Sequence, residues 1–169
     1  MAAVTTLISH VSRASDFYSK TSLYFAIAHP DPWSDENNPP EPNVTDTDLI
    51  SIIGYKKVDT KYFVVPDSNG TISMIDGTWS IVNQADIYSK GAKWLYLETT
   101  IMPADLPLGT YRQVGLYSSL ILADGVSPSK YNLLPSEVTY SGILEALDNR
   151  QQSNRQSNSK EKIAMILEF

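Results

Sequence analysis

Between Lys93 and Leu122 the chain reads K-W-L-Y-L-E-T-T-I-M, then P-A-D-L-P-L-G, then T-Y-R-Q-V-G-L-Y-S-S-L-I-L. Trp94, Tyr96, Glu98 and Thr100 alternate with Leu95, Leu97, Thr99 and Ile101, the period of two expected of a β-strand. Pro103 and Pro107 carry no backbone donor for a ladder, and Gly109 tolerates positive φ, so the segment between reads as a connection. The pattern predicts an antiparallel pair joined by a loop of about seven residues. The rest of the chain is expected to pack on this pair or decorate it.

Upstream, Leu7, Val11, Ala14, Phe17 and Tyr18 recur at spacings of three and four, which predicts a short helix over 7–20 with one apolar stripe. His10 lies beside the stripe with no second ligand spaced to join it, so it reads as a surface or packing residue. The apolar run S-L-Y-F-A-I-A at 22–28 predicts a buried strand. From His29 to about Val44 five prolines, including Pro39 and Pro40, exclude a helix or central strand and predict a stiff, extended loop. Trp33 stands in this polar loop, where it either folds back onto the core or docks into a partner. Thr45–Tyr55 predicts a second short helix, with Asp46 or Thr47 as N-cap and Gly54 as its end.

K-V-D-T-K-Y-F-V-V-P-D then predicts a strand closed by Pro66. Asn69-Gly70 predicts a type I′ turn, and Asp76-Gly77 a second turn. Beyond Leu122, residues 123–138 read as loop and 141–150 as a short strand ending in an Asn149-Arg150 corner. The polar run 151–161 reads as a flexible loop or an exposed hairpin arm. The closing run K-I-A-M-I-L-E-F predicts a buried final strand, tied into a sheet so that it does not fray. The fold class predicted is mainly β, in β-sandwich-like antiparallel sheets, with one or two short helices near the N-terminus. One β-rich structural domain over residues 1–169 is expected, with a proline-rich loop at 29–44.

Composition narrows the chemistry. A chain of 169 residues buries roughly 70 % of its unfolded surface and folds without disulfides or metals. Cysteine is absent, which removes zinc–thiolate sites and cysteine nucleophiles and suits a protein made in a reducing cytoplasm. With 13 basic against 19 acidic residues the formal charge is −6, so no nucleic-acid partner is expected. No apolar run reaches the length of a membrane span, and no membrane association is expected. His29, Asp31, Asp35 and Glu36 sit in the proline-rich loop, but nothing in their spacing fixes a coordination geometry, and no metal or cofactor is expected. The nucleophile elbow, the phosphate loop and the zinc-protease motif are all missing, and two histidines leave little acid–base inventory, so no enzymatic activity is expected. Ten tyrosines and three tryptophans suit a protein that makes contacts, and suit an ordinary β core equally.

Several short motifs resemble a known family. They are Phe17-Tyr18, Asp31-Pro32-Trp33-Ser34, Pro39-Pro40, Thr45-Asp46, Pro103, Leu106-Pro107, Gly109, Tyr111-Arg112-Gln113, Ser141-Gly142, Asn149-Arg150 and the final strand from Glu161 to Phe169. Together they resemble the baseplate wedge proteins encoded by gene 8 in T-even-type contractile-tailed phages and their smaller relatives in other myophages. The resemblance implies a largely β fold, homodimerisation, and a place in the tail baseplate of the virion after synthesis in the host cytoplasm. It implies partners among the other wedge proteins and the tail-fibre adaptors. On that reading Trp33, Pro39 and Pro40 belong to a docking arm. Arg112, Asn149 and Arg150 are polar anchors in a corner or an interface, with a surface charge or a local turn contact as the alternative for each arginine. A receptor- or carbohydrate-binding β-sandwich module of the tail is the alternative function.

Overall fold

The computed structural model describes residues 3–169. The backbone divides into two compact units, one comprising the residues up to Lys20 with 59–98 and 164–169, the other 21–58 with 99–163. The elements are α1 (Leu7–Tyr18), β1 (Leu23–Ala28), β2 (Ile52–Lys57), β3 (Thr60–Pro66), β4 (Ile72–Met74), β5 (Gly77–Val82), α2 (Ile87–Lys90), β6 (Trp94–Ile101), β7 (Gly109–Ser118), β8 (Ile121–Leu122), β9 (Asn132–Leu133), β10 (Val138–Tyr140), β11 (Ile143–Arg155) and β12 (Glu161–Glu168). The chain is mainly β, as its alternating runs predict. Of its two short helices one lies near the N-terminus and the other at 87–90.

The first unit is built on a sheet of order β12-β6-β3-β5-β4. Helix α1 starts where the Thr6 hydroxyl accepts from the Ser9 N–H at 3.3 Å, and it buries Val11, Ala14 and Phe17. At its far end the Lys61 ammonium donates to the carbonyls of Tyr18 and Lys20, placing a cation where the helix carbonyls are unsatisfied. Tyr18 stacks on Phe63 of β3 at 4.6 Å, and Phe17 meets the terminal Phe169 at 5.1 Å. The Phe169 N–H donates to the Lys93 carbonyl, so the chain end is tied down. Val64, Trp79 and Tyr96 form an apolar cluster in this unit with Trp94, Ile72 and Met74 against them.

The second unit holds a sheet of order β11-β7-β1-β2-β9 and a two-stranded β8–β10 ribbon. Strand β1 lies between β7 and β2, antiparallel to both, and all six of its residues are buried. Tyr24, Ala26, Ala28, Leu49, Tyr55, Tyr117 and Leu133 form the core cluster of this unit.

Four expectations are corrected. Strands β6 and β7 are not partners: β6 lies between β12 and β3, and β7 between β11 and β1. A period of two reports a strand and its faces but not its neighbour, and both strands are buried enough to need a partner on each side. The connection between them is held by side chains. Buried Arg155 donates from Nη1 to the carbonyls of Leu106 and Pro107 at 2.9 and 2.6 Å, and from Nη2 to Met102 at 2.9 Å. The Asp105 carboxylate accepts from the Met102 N–H, from Lys56 and from Asn132.

Second, Thr45–Tyr55 is not a helix. Asp46 is part of a turn closed by Asn43, and the β-branched run enters β2 instead. Gly54 sits inside that strand because a Cβ there would meet Leu106 at 2.6 Å and the Leu133 carbonyl at 2.9 Å. Third, Asp67–Gly70 does form a turn, closed by Gly70 N–H to the Asp67 carbonyl at 2.9 Å, but neither Asn69 nor Gly70 has positive φ. It is no hairpin turn, since β5 inserts between β3 and β4. Asp76-Gly77 does close the β4–β5 hairpin, with Gly77 at φ +138°. Fourth, the strand after Gly142 runs through the polar residues to Arg155, where Ser153, Asn154 and Arg155 pair with Tyr111, Thr110 and Gly109. Ladder pairing holds that stretch as strand, and hydrophobic alternation carries no trace of it.

Burial pushes the Asp105 carboxyl up, but the Met102 N–H, the Lys56 ammonium and Asn132 outweigh it and hold its pKa below the ordinary 3.8. Its network therefore contributes stability that is complete above that value and is lost as the pH falls through the lower folded one. In urea unfolding, the wild type is expected to lose more stability than Asp105→Asn between neutral pH and about pH 3. Equal losses would show that the Asp105 network does not hold the connection.

Candidate assembly interface

Strands β1 and β2 are adjacent and antiparallel, and the His29 N–H donates to the Ser51 carbonyl at 3.0 Å. Residues 29–51 thus leave and return at one point of the sheet. This strap is longer than the ~12–15 residues at which loops without secondary structure become uncommon and usually serve a function. Its prolines fix φ and leave few conformations to lose.

The strap is fastened along β11, the edge strand of its sheet. Trp33 Nε1 donates to the Arg150 carbonyl at 2.8 Å, Gln151 Nε2 to the Asn37 carbonyl at 3.0 Å and Asn149 Nδ2 to the Pro40 carbonyl at 3.0 Å. Trp33 is thus tied to β11 by its indole N–H, with the residue half-buried. The fastening point is a defect in the ladder: the β11–β7 register breaks between Asn149 and Ser153. Residues released from regular pairing there turn their polar groups to the strap.

Strand β7 holds the strap from beneath. Arg112 and Gln113 are successive residues of β7 and so point to opposite faces. Buried Arg112 donates from Nε to Glu36 at 2.8 Å and from Nη2 to Gln152 at 2.6 Å. Gln113 Oε1 accepts from the Ile50 N–H at 3.0 Å while its Nε2 donates to Asn149 Oδ1 at 2.9 Å. A relay from Ile50 through Gln113 and Asn149 to Pro40 results, in which each amide uses both its donor and its acceptor. Further along β7, the Tyr117 hydroxyl donates to the Asp48 carboxylate and accepts from the Leu49 N–H at 2.9 Å. Burial, then the bond to Asp48, pushes the Tyr117 pKa far up, so the phenol stays protonated and keeps its donor.

All six residues singled out in the sequence, Trp33, Pro39, Pro40, Arg112, Asn149 and Arg150, thus belong to one strap and its fastening. Their roles differ. Pro40 is exposed and Pro39 and Trp33 half-buried, whereas Arg112 is 4 % exposed, which rules out a surface charge for it. Arg150 contributes its carbonyl to Trp33, and its guanidinium turns to Asp148 at 2.6 Å. Sequence reasoning missed Glu36 and Gln152, the partners of Arg112, and Asp48 with Tyr117. Only the polar residues within the Pro-rich and Gln-rich runs hinted at the first two. Among the described residues no group of three or more His, Asp or Glu is placed to hold a metal ion. The His29 ring instead meets the Thr110 hydroxyl at 3.1 Å.

The chain belongs to the baseplate wedge 3 tail fiber network component family, whose model matches residues 1–169. It is also similar to "Virion protein 3" of Enterococcus phage phiEF24C, 38 % identical over 155 residues that cover 87 % of this chain and 84 % of that protein. The chain is therefore a structural protein of the phage tail, located in the virion at the baseplate, and associates with other baseplate proteins. The resemblance to baseplate wedge proteins read from the motifs is borne out. Among the described residues no helix is long and apolar enough to cross a membrane.

Removal of the Arg112 guanidinium by Arg112→Ala is expected to lower stability by about 1–3 kcal/mol, because half-exposed Glu36 regains water while Gln152 loses its donor. Hydrogen exchange in residues 31–41 should accelerate while α1 keeps its protection. Unchanged exchange in the strap would show that Arg112 does not hold it.

Proposed function

We propose that the strap at 29–44 is the face through which this chain joins neighbouring wedge subunits or tail-fibre adaptors, within an assembly that contains it as a homodimer. The observation that carries the reading is the bond from Trp33 Nε1 to the Arg150 carbonyl. It fixes an extended, proline-rich segment on a sheet edge before any partner arrives, so less conformational entropy is lost on docking. Exposed Asp31, Asp35, Asn38, Pro40 and Pro42 offer the outward surface, while Arg112 and Asn149 act beneath it as supports. The chain works as one structural module without catalysis. It passes back and forth between its two compact units, so neither is a continuous stretch of sequence.

Trp33→Ala is expected to leave a folded protein with one thermal transition, lowered by the loss of a single latch of about 1 kcal/mol. In reconstitution with the other baseplate proteins, or in complementation of a phage lacking the gene, the variant should assemble poorly. Normal assembly by a variant whose strap exchanges freely would remove the strap from the interface. A collapse of thermal stability would make Trp33 a core residue instead.

A further inference from the structure

The strap fastens to β11 at residues 149–151, but toward the N-terminal end of the same edge strand two clefts adjoin. One, of about 220 Å³, lies between Pro42, Asn43, Val44 and Asp46 and the stretch Leu144–Leu147. The other, of about 480 Å³, lies between Asp46–Asp48 and Tyr140–Leu144. They share Asp46 and Leu144, so they form a single groove running beside the edge of the sheet. Its floor and lips are apolar: Leu144, Ala146 and Leu147 are half-buried, while Val44 is fully exposed, Ile143 is 54 % exposed and Tyr140 56 %. Among the described residues, Asp46, Asp48 and Glu145 are the charged residues of the lining, and no lysine or arginine lines either cleft. Edge strands left open invite an added strand, and native proteins normally blunt them with lysine or with a covering segment. Here the strap stands off from β11 and forms the far wall of the groove through Pro42, Asn43, Val44 and Asp46, and the charges present have the opposite sign to lysine.

We propose that this groove receives an extended, lysine- or arginine-bearing segment of another baseplate protein, laid along the edge of β11 with its apolar side chains in the two clefts. Main-chain pairing would supply adhesion, and alternate side chains the specificity. The anionic lining selects cationic segments and disfavours acidic partners, a second copy of this chain with its net charge of −6 among them. The inference rests on the baseplate reading above, and it adds to the strap a second contact of defined chemistry.

The test is a p-benzoylphenylalanine photocrosslinker placed at Ile143, with a second variant carrying it at fully exposed Val44, in phage particles purified after complementation. Mass spectrometry of the irradiated tails should identify, from both positions, one extended segment of a different tail protein bearing lysine or arginine. Asp46→Asn, which keeps the acceptor for the Asn43 N–H but removes the charge, should lower the crosslink yield about threefold. Crosslinks to a second copy of this chain or to an acidic segment would overturn the proposal. So would tails that contain the chain, by blot, yet give no crosslink at either position. Absence of the wild-type chain from purified tails would instead overturn the baseplate reading itself.

Discussion

The arrangement of the second unit depends on the grip of Arg155 on the connection between β6 and β7. That segment contains two prolines and redirects the chain from one sheet to the other, leaving the carbonyls of Met102, Leu106 and Pro107 without ladder partners. One planar guanidinium satisfies all three, a task that suits arginine's rigid fork and not the single ammonium of lysine. Asp105 completes the fixation by accepting from the Met102 N–H and from Lys56 and Asn132. With the connection held, β7 enters its sheet between β1 and β11, and the residues that fasten the strap come to their places. Arg155 is itself the last residue of β11. The strand that carries the strap at its middle thus anchors the connection with its end.

The strap repeats the same solution at the surface. A polar, proline-rich segment cannot form a ladder of its own, so its carbonyls at Asn37 and Pro40 are met by side chains of β11, and Trp33 returns the favour to a β11 carbonyl. The consequence is a segment pinned to the sheet edge at 149–151 and a preorganised outward surface. A subunit that must take one position among many neighbours benefits from a contact segment whose entropy is already spent in folding. The Ile50–Gln113–Asn149–Pro40 relay couples the middle of the strap and its returning end to the sheet, so the two are held together.

The local character of the chain was largely legible in the sequence, and its connectivity was not. The α1 stripe carries a periodic signal, the runs at β1 and the final strand carry continuous apolar ones, and each element is present. The supposed β6–β7 hairpin failed because alternation carries no information about which strand lies next door. Capping signals at Asp46 and Gly54 predict a helix at 45–55, but the β-branched residues between them and the tertiary contacts of Gly54 favour the strand that begins at Ile52. The second half of β11 left no apolar trace. At the strap, the prolines and Trp33 mark an unusual segment, whereas nothing in the sequence joins Arg112, Asn149 and Arg150 to it; the structure places all three against it. The pairing of Glu36 and Gln152 with Arg112 leaves no mark in the sequence, since a carboxylate in a loop and an amide in a polar run look alike whether bound or solvated.

The most direct measurement of the central claim is an electron cryomicroscopy map of the intact tail, resolved well enough to trace this chain in the baseplate. The account predicts that residues 33–42 are buried against a neighbouring subunit and keep the Trp33–Arg150 bond seen in the isolated chain. A strap that faces solvent in the assembled baseplate, with the neighbours contacting other surfaces, would contradict it.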